Sequence, residues 1–280
     1  MNRSNDFIFF GTGGLLTSIC LRYLLEEKYL PKLVVIQKAK NSTYPNLTAI
    51  LCDAHQLPYV FVDSVNTEES IQLFAKQNAA FGIVASFGEI FKKELLQLFP
   101  VYNVHTGVLP QYRGAFPNFW KILKNDDVYG VTVTKMEEKI DSGAIVLIQE
   151  EDFSSDIFSG DFFRKNYELA GRTVVKALEL LRDSSFRLQP VDQQQSRYYR
   201  KFTANDMVLD PQDHVGHLYK KINRLQFYGN PVIENLHLTA AELLLEQEMD
   251  ITGFEIIPAS PTTSILKNKT GILLLKHRSV

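Results

Sequence analysis

The feature that most constrains this chain is a series of short, uninterrupted apolar runs, each followed by a stretch with apolar residues at helical spacing. Phe7-Ile8-Phe9-Phe10 ends at Gly11, and a helical pattern follows over 15–27. Leu33-Val34-Val35-Ile36 precedes a helical pattern over 47–57, Tyr59-Val60-Phe61-Val62 one over 68–77, and Gly82-Ile83-Val84-Ala85 one over 92–98. A strand with one wet face alternates apolar and polar residues. A continuous run needs apolar cover on both faces, which a parallel sheet flanked by helices supplies. The order predicts a doubly wound α/β core. With 45% apolar and 22% charged residues, a chain of 280 has the material for it. The same composition excludes a disordered tail, a collagen-like repeat and a disulfide scaffold.

After Pro100 the texture changes. The spacing predicts a fifth strand over 101–105, a Pro/Gly-punctuated loop through Pro117 and a short helix over 119–124. Strands are predicted over 129–136 and 144–149, and a long helix over 157–181. The run Pro190 to Ser196 is polar and free of aromatics, the composition of a linker. Beyond it, one helix over 214–223 and β-like runs such as 271–275 predict a small β-rich appendage. The expected domains are therefore 1–189 and 190–280. Cys20 and Cys52 sit in apolar stretches without CxxC spacing and read as buried free thiols of a reducing compartment. No apolar run approaches the roughly 18 residues of a membrane span, and the N-terminal run of four is too short for a signal segment. A soluble, cytoplasmic protein without membrane contact is expected.

Three groups of residues invite a chemical reading. Gly11-Thr12-Gly13-Gly14 after the first strand suggests a dinucleotide site, but the fingerprint needs glycine where Leu16 stands and an acid where Gln37 stands. What remains is a tight strand-to-helix turn. His214 and His217 have a metal-like spacing without a third ligand nearby, so a solvated helix face is expected and no metal. The third group is more informative. Asn103 and His105 are two residues apart, so on a strand they share one face, at the carboxyl end where open α/β sheets place ligands. Asp141, in a loop between two strand-like segments, is a candidate to reach back to the imidazole.

The stretches NVHTGVLPQYRGAFP and YGVTVTKMEEKIDSGAIV resemble the folate-dependent formyltransferase family, whose relatives act on methionyl-tRNA, glycinamide ribonucleotide and nucleotide-linked sugars. The family pairs Asn-x-His on a strand end with a leucine-proline loop and an aspartate in a D-x-G turn. Here Asp141 lies 36 residues after His105, and Gly143 completes the turn. Val84-Ala85-Ser86-Phe87-Gly88-Glu89-Ile90-Phe91 is similar to the loop that wraps the pterin ring, and Phe9-Phe10-Gly11-Thr12 to the first strand and turn. The resemblance runs from about 7 to 181, with a weaker echo over 197–233. It implies a Rossmann-like formyltransferase core, N10-formyltetrahydrofolate as cosubstrate, and Asn103, His105 and Asp141 as catalytic residues. Backbone groups of Ser86, Phe87, Gly88, Glu89, Ile90 and Ile140 are expected to hold the folate. One departure is visible: the family's usual serine before leucine-leucine-proline is Gly107 here. The loop is accordingly expected to bind its acceptor differently.

The acceptor divides the family. The tRNA enzymes usually carry a longer basic insertion after the second strand and a C-terminal domain of about a hundred residues. This chain has QKAKNSTYPN at the insertion and a tail in which ten Lys and Arg face ten Asp and Glu from 190 onward. A tRNA grip calls for a basic excess, and the chain as a whole has a net charge of −2. A nucleotide-linked aminosugar (dTDP-, UDP- or GDP-linked) is therefore the expected partner, with no nucleic acid. Gly11 and Thr12 are expected at the substrate. Arg224 is expected on a phosphate, with Phe227 and Tyr228 either stacked on a base or forming ordinary core. Arg113 either touches substrate or braces its loop, and Trp120 reads as packing. A homodimer follows from the resemblance alone. The alternatives are a tRNA-type enzyme with a reduced C-terminal domain and a non-catalytic folate-binding member.

Overall fold

A computed structural model describes residues 6–39, 45–155 and 158–279. Residues 40–44 of the insertion loop and Ile157 at the expected start of the long helix lie outside the described residues. The chain forms two compact units, each assembled from three segments. The first comprises Met1–Gly114, Gly130–Glu151 and Lys165–Tyr198, the second Ala115–Tyr129, Asp152–Arg164 and Tyr199–Val280.

The apolar runs become strands and the periodic stretches helices, in strict alternation: β1 (Phe7–Gly11), α1 (Leu15–Glu26), β2 (Leu33–Gln37), α2 (Leu47–Ala54), β3 (Tyr59–Val62), α3 (Glu68–Ala75), β4 (Phe81–Ala85), α4 (Lys93–Leu96) and β5 (Val101–His105). Then come β6 (Arg113–Gly114), α5 (Pro117–Leu123), β7 (Val128–Lys135), β8 (Ile145–Asp152), α6 (Ser159–Arg182) and the two-residue β9 (Tyr198–Tyr199). The sheet order is β3-β2-β1-β4-β5-β7-β8. Its first five strands pair in parallel, as continuous burial requires. β7 joins β5 antiparallel, so the sheet is mixed at that end.

Alternate residues of each strand feed opposite cores. Phe7, Phe9, Val34, Ile36 and Ile83 pack with Leu21 and Leu24 of α1 and Val174 and Leu178 of α6. Ile8, Phe10, Val35 and Val84 pack with Phe74 of α3 and with Phe91 and Leu95. Cys20 and Cys52 are buried free thiols, and burial pushes both up to about 12. The expected helix over 92–98 is only one turn long, because α4 has no side-chain cap and Pro100 follows closely.

The strand order reverses between β1 and β4, which places a crevice at their carboxyl ends. Thr17 of α1 ties those ends together. Its hydroxyl donates to the Ala85 carbonyl at 2.6 Å and accepts the Thr12 N–H at 3.0 Å. Gly11 permits this: a Cβ there would lie 2.1 Å from Thr17 Cγ2.

In the second unit, β10 (Val232–Ile233), β11 (Leu236–Glu246), β12 (Phe254–Ser260), β13 (Thr263–Asn268) and β14 (Gly271–His277) form an antiparallel sheet ordered β10-β11-β14-β13-β12. α7 (Val215–Leu225) packs on β11. The Asn223 amide donates to the Ala241 carbonyl at 2.9 Å and accepts the Ala241 N–H at 3.1 Å, imitating a neighbouring strand. Among the described residues no helix is long and apolar enough to cross a membrane.

The second unit also encloses an ion cluster. Arg224, 1% exposed, donates to Asp127 at 2.6 Å and to the Phe153 carbonyl at 2.7 Å, while Lys220 donates to the other Asp127 oxygen at 2.6 Å. Burial pushes Asp127 up, but the two cations outweigh it and hold the carboxyl below the ordinary carboxylate range. A depressed folded value contributes stability above the unfolded carboxylate range, and that contribution is lost as pH falls through the folded value. Asp127→Ala leaves Arg224 buried without its counter-charge. Because Asp127 is itself 25% exposed, the expected loss is the lower end of the range for broken buried pairs, about 3 kcal/mol. Thermal unfolding near neutral pH checks this, and the difference from wild type must shrink in acid.

Candidate functional site

The cluster begins with the pairing of β5 and β7. Asn103 lies opposite Thr134, and His105 opposite Thr132. Both threonines are buried and point their hydroxyls at the two segments that complete the cluster. Thr132 donates to the Gly107 carbonyl at 2.8 Å and accepts the Leu109 N–H at 3.1 Å, which fixes the loop after β5. Thr134 donates to the Gly143 carbonyl at 2.8 Å, which fixes the Asp-Ser-Gly turn. Gly143 is required there, because a Cβ would lie 1.8 Å from the Lys135 carbonyl oxygen. Asp141 takes a left-handed backbone (φ 50°), which aspartate tolerates better than most residues.

The turn delivers Asp141 to His105, with Oδ2 3.6 Å from Nδ1 and both side chains less than a tenth exposed. The other ring nitrogen, Nε2, donates to the Tyr112 carbonyl at 2.6 Å, since a carbonyl only accepts. Asp141 Oδ2 also accepts the Gly114 N–H at 2.9 Å. The ring is thus gripped between a main-chain oxygen and a carboxylate, which fixes its plane. Asn103 is half-buried beside it, and no described residue hydrogen-bonds its side-chain amide. Of the three expected catalytic side chains, Asn103 is the one left to meet a ligand.

Arg113 resolves toward bracing. It is 5% exposed and donates to the Ile140 carbonyl from Nε and NH2, at 3.2 and 2.5 Å, and to the Ser196 hydroxyl at 2.8 Å. These bonds engage the Ile140 carbonyl, one of the expected folate contacts. In the polar run 190–196, the Gln195 amide oxygen accepts from the Gln111 amide at 3.2 Å and the Ser196 hydroxyl from Arg113. The Arg113 N–H donates to the Arg197 carbonyl, and the Arg197 N–H to the Pro110 carbonyl, each at 3.0 Å. Residues 195–197 pair with the loop after β5 because that loop's own polar groups need partners.

Among the other expected folate contacts, Ser86 is exposed in a left-handed backbone and Phe87 packs edge-on against Phe10 and Phe91. The Gly88 N–H donates to Gln37 at 2.7 Å, and the Glu89 carboxylate turns to protein donors. Ile90 presents an exposed side chain (59%). Gly11 and Thr12 are held by Thr17, and the Thr12 carbonyl by the Thr48 hydroxyl at 2.7 Å, so their groups serve the turn.

The expected phosphate contact at Arg224 is corrected: the guanidinium is buried on Asp127 and Phe153 and does not face solvent. Tyr228 packs edge-on against Phe116, Phe119, Phe163 and Phe202. Phe227 stacks on Phe163 at 3.8 Å while remaining 47% exposed. Trp120 stacks on Tyr199 and donates to the Arg200 carbonyl at 3.0 Å, as packing requires. His214 caps α7, accepting the Gly216 N–H at 3.2 Å, and among the described residues no three His, Cys, Asp or Glu gather as metal ligands.

Sequence reading missed Thr132 and Thr134. Their period-2 spacing puts them on one strand face, but facing Asn103 and His105 depends on an antiparallel register that no local signal states. Thr132→Val unpairs a buried carbonyl and a buried N–H, a change of about 1–3 kcal/mol. The expected outcome is a lower melting temperature together with faster hydrogen exchange at Leu109. Unchanged exchange there contradicts the role given to Thr132.

Comparisons with known proteins bear on the family and the fold. The family model described as "Formyl transferase" matches residues 22–168. A methionyl-tRNA formyltransferase of Desulfotalea psychrophila is 32% identical over 216 residues, 74% of this chain and 66% of that protein, so the chain's match spans about two thirds of that relative's length. The methionyl-tRNA formyltransferase of Campylobacter jejuni subsp. doylei is 31% identical over 281 residues, 96% of this chain and 90% of that one. In fold, the chain is similar to an N-formyltransferase of Helicobacter canadensis crystallised with folinic acid and dTDP-3-aminofucose. That match has a TM-score of 0.73 at 15% identity and covers 98% of this chain and 99% of that one. The chain belongs to the formyl transferase family.

Proposed function

We propose that the chain moves the formyl group of N10-formyltetrahydrofolate to the amino group of a nucleotide-linked aminodeoxysugar. The observation that carries the transfer is the cluster at the end of β5: an unengaged Asn103 amide beside a His105 ring oriented by Tyr112 and Asp141. The acceptor nitrogen attacks the formyl carbon, and the carbonyl oxygen takes the negative charge. Asn103 donates to that oxygen, a contribution of about 2.7–4 kcal/mol for one such donor. His105 stands beside it with its ring oriented by Tyr112 and Asp141, and Asp141 accepts the amine's proton through a water. The bond from the formyl carbon to N10 then breaks, N10 is protonated, and tetrahydrofolate and a formamide leave.

The acceptor follows from charge. Ten Lys and Arg lie from 190 onward. Six of them are in ion pairs: Arg224 and Lys220 with Asp127, Lys221 with Asp213, Arg200 with Asp206, Lys269 with Glu248 and Lys276 with Glu242. These six cations face five carboxylates, so together they offer little of the positive excess whose counterion release a tRNA grip depends on. A small nucleotide-linked sugar makes no such demand. The fold shared end to end with the Helicobacter canadensis enzyme supports the same acceptor class. The second reading, formylation of methionyl-tRNA, is favoured by the Campylobacter relative that matches along nearly the whole chain.

Incubation with N10-formyltetrahydrofolate and a panel of dTDP-, UDP- and GDP-linked aminosugars is expected to give a formylated sugar, detected by mass. Formylated methionyl-tRNA with steep salt dependence, and no sugar product, overturns the acceptor assignment. His105→Ala and Asp141→Ala are each expected to lower kcat about 10²–10⁴-fold. Turnover at the wild-type rate in either contradicts the mechanism.

A further inference from the structure

The loop after β4, which resembles the family's pterin-wrapping segment, is fixed from two sides by side chains of other strands. From the end of β2, Gln37 accepts the Gly88 N–H at 2.7 Å. From the turn after β3, three donors converge on one carboxylate. Glu89 accepts the Ser64 hydroxyl at 2.6 Å, the Val65 N–H at 2.9 Å and the Asn66 amide at 2.7 Å. Asn66 then reaches past Glu89: its amide donates to the Ile90 carbonyl at 2.9 Å, and its Oδ1 accepts the Lys92 N–H at 2.9 Å. The Ser70 hydroxyl donates to the Ser64 carbonyl at 2.7 Å, which ties the turn to α3.

A glutamate on a polar loop ordinarily points into water. This one points inward, and burial alone pushes it up, but Ser64, Val65, Asn66 and Lys92 hold it below the ordinary carboxylate range. Charge-assisted bonds of this kind are stronger than neutral ones. Five hydrogen bonds tie Ser64, Val65 and Asn66 to residues 89–92, and none of the five belongs to the sheet. Their effect is to choose one conformation for a segment with exposed Ser86, Gly88 and Ile90. A ligand that binds only the competent conformation has its affinity divided by the fraction of time that conformation is present.

We propose that Glu89 and Asn66 are positioning residues that set the affinity for the reduced-folate donor by latching its loop, without touching the donor or the reacting atoms. The proposal rests on the reading that this loop takes the folate. It reassigns Glu89 from an expected contact to the group that shapes the contact.

The test measures binding of 5-formyltetrahydrofolate to the full chain by calorimetry, with steady-state kcat and donor KM alongside. Wild type, Glu89→Gln, Asn66→Ala and Ser64→Ala are compared. Gln at 89 keeps the shape but sets an amide donor against the donors of the turn. Glu89→Gln and Asn66→Ala are expected to raise Kd and donor KM about tenfold with kcat within about twofold, as a loop competent a tenth of the time requires. Ser64→Ala leaves Glu89 two donors and is expected to shift Kd about threefold in the same direction. It carries the test if the other variants fail to fold. A wild type that binds while the variants bind equally well overturns the latch alone. A fall in kcat at constant KM overturns it as well, because Glu89 would then belong to the chemistry. A wild type that binds no reduced folate overturns the donor reading, and the latch with it.

Discussion

The antiparallel seam between β5 and β7 is the constraint on which the candidate site depends. Parallel strands alone carry Asn103 and His105 to the sheet's carboxyl edge, but they leave the following loop and the Asp141 turn unspecified. The register of β7 settles both, because Thr132 and Thr134 stand opposite His105 and Asn103 and bond outward to Gly107, Leu109 and Gly143. A slip of one residue would turn both hydroxyls to the other face. The register is secured because β7 is buried along nearly its whole length, with Tyr129, Val131 and Val133 at or near zero exposure. Core packing thus fixes the distances between groups that take no part in the core.

Fixing the histidine follows the same logic at smaller scale. Neither partner of the His105 ring is free to wander. The Tyr112 carbonyl belongs to a loop whose next residue, Arg113, is tied to Ile140 and Ser196, and Asp141 is held by the Gly114 N–H. The groups that orient the ring are therefore themselves oriented by Arg113 and its neighbour. A buried guanidinium with several acceptors does this well, because its planar donors leave little rotational freedom. Conserving its charge with lysine would lose the fork.

Much of the fold was legible because it depends on local periodicity. Continuous apolar runs demand a sheet covered on both faces, and the five parallel strands lie where those runs lie. The approach of Asp141 to His105 was legible as well, because the strand period puts Asn103 and His105 on one face and the family resemblance implies the aspartate of the D-x-G turn. The roles of Arg224, Arg113 and Glu89 were not. Each is a charged side chain whose partner is distant in sequence: Asp127 is 97 residues from Arg224, Ser196 is 83 from Arg113, and Ser64 is 25 from Glu89. A charge in a sequence announces that it needs water or a counter-charge, but not which. The contacts of the polar run 190–196 were illegible for a related reason. Gln195 and Ser196 meet the Gln111 and Arg113 side chains of the loop after β5, more than 80 residues away in sequence.

The same ambiguity bears on the acceptor. A net charge of −2 for the chain and zero for the stretch from 190 to 280 is compatible with a patchy surface as well as an evenly neutral one. Charge counts alone cannot separate these, because a basic stripe balanced by acids elsewhere still grips a phosphate backbone. What separates them is the pairing distance. Asp127 takes both Arg224 and Lys220, and Asp213 and Asp206 lie within 2.8 Å of Lys221 and Arg200. The two one-to-one pairs nearly cancel at the distance of a passing polyanion, several times the pair separation, and the Asp127 group keeps one positive charge of its two. Long-range attraction for a polynucleotide is thereby reduced, while short-range recognition of a small acceptor is untouched. The charge balance that matters is local, made group by group.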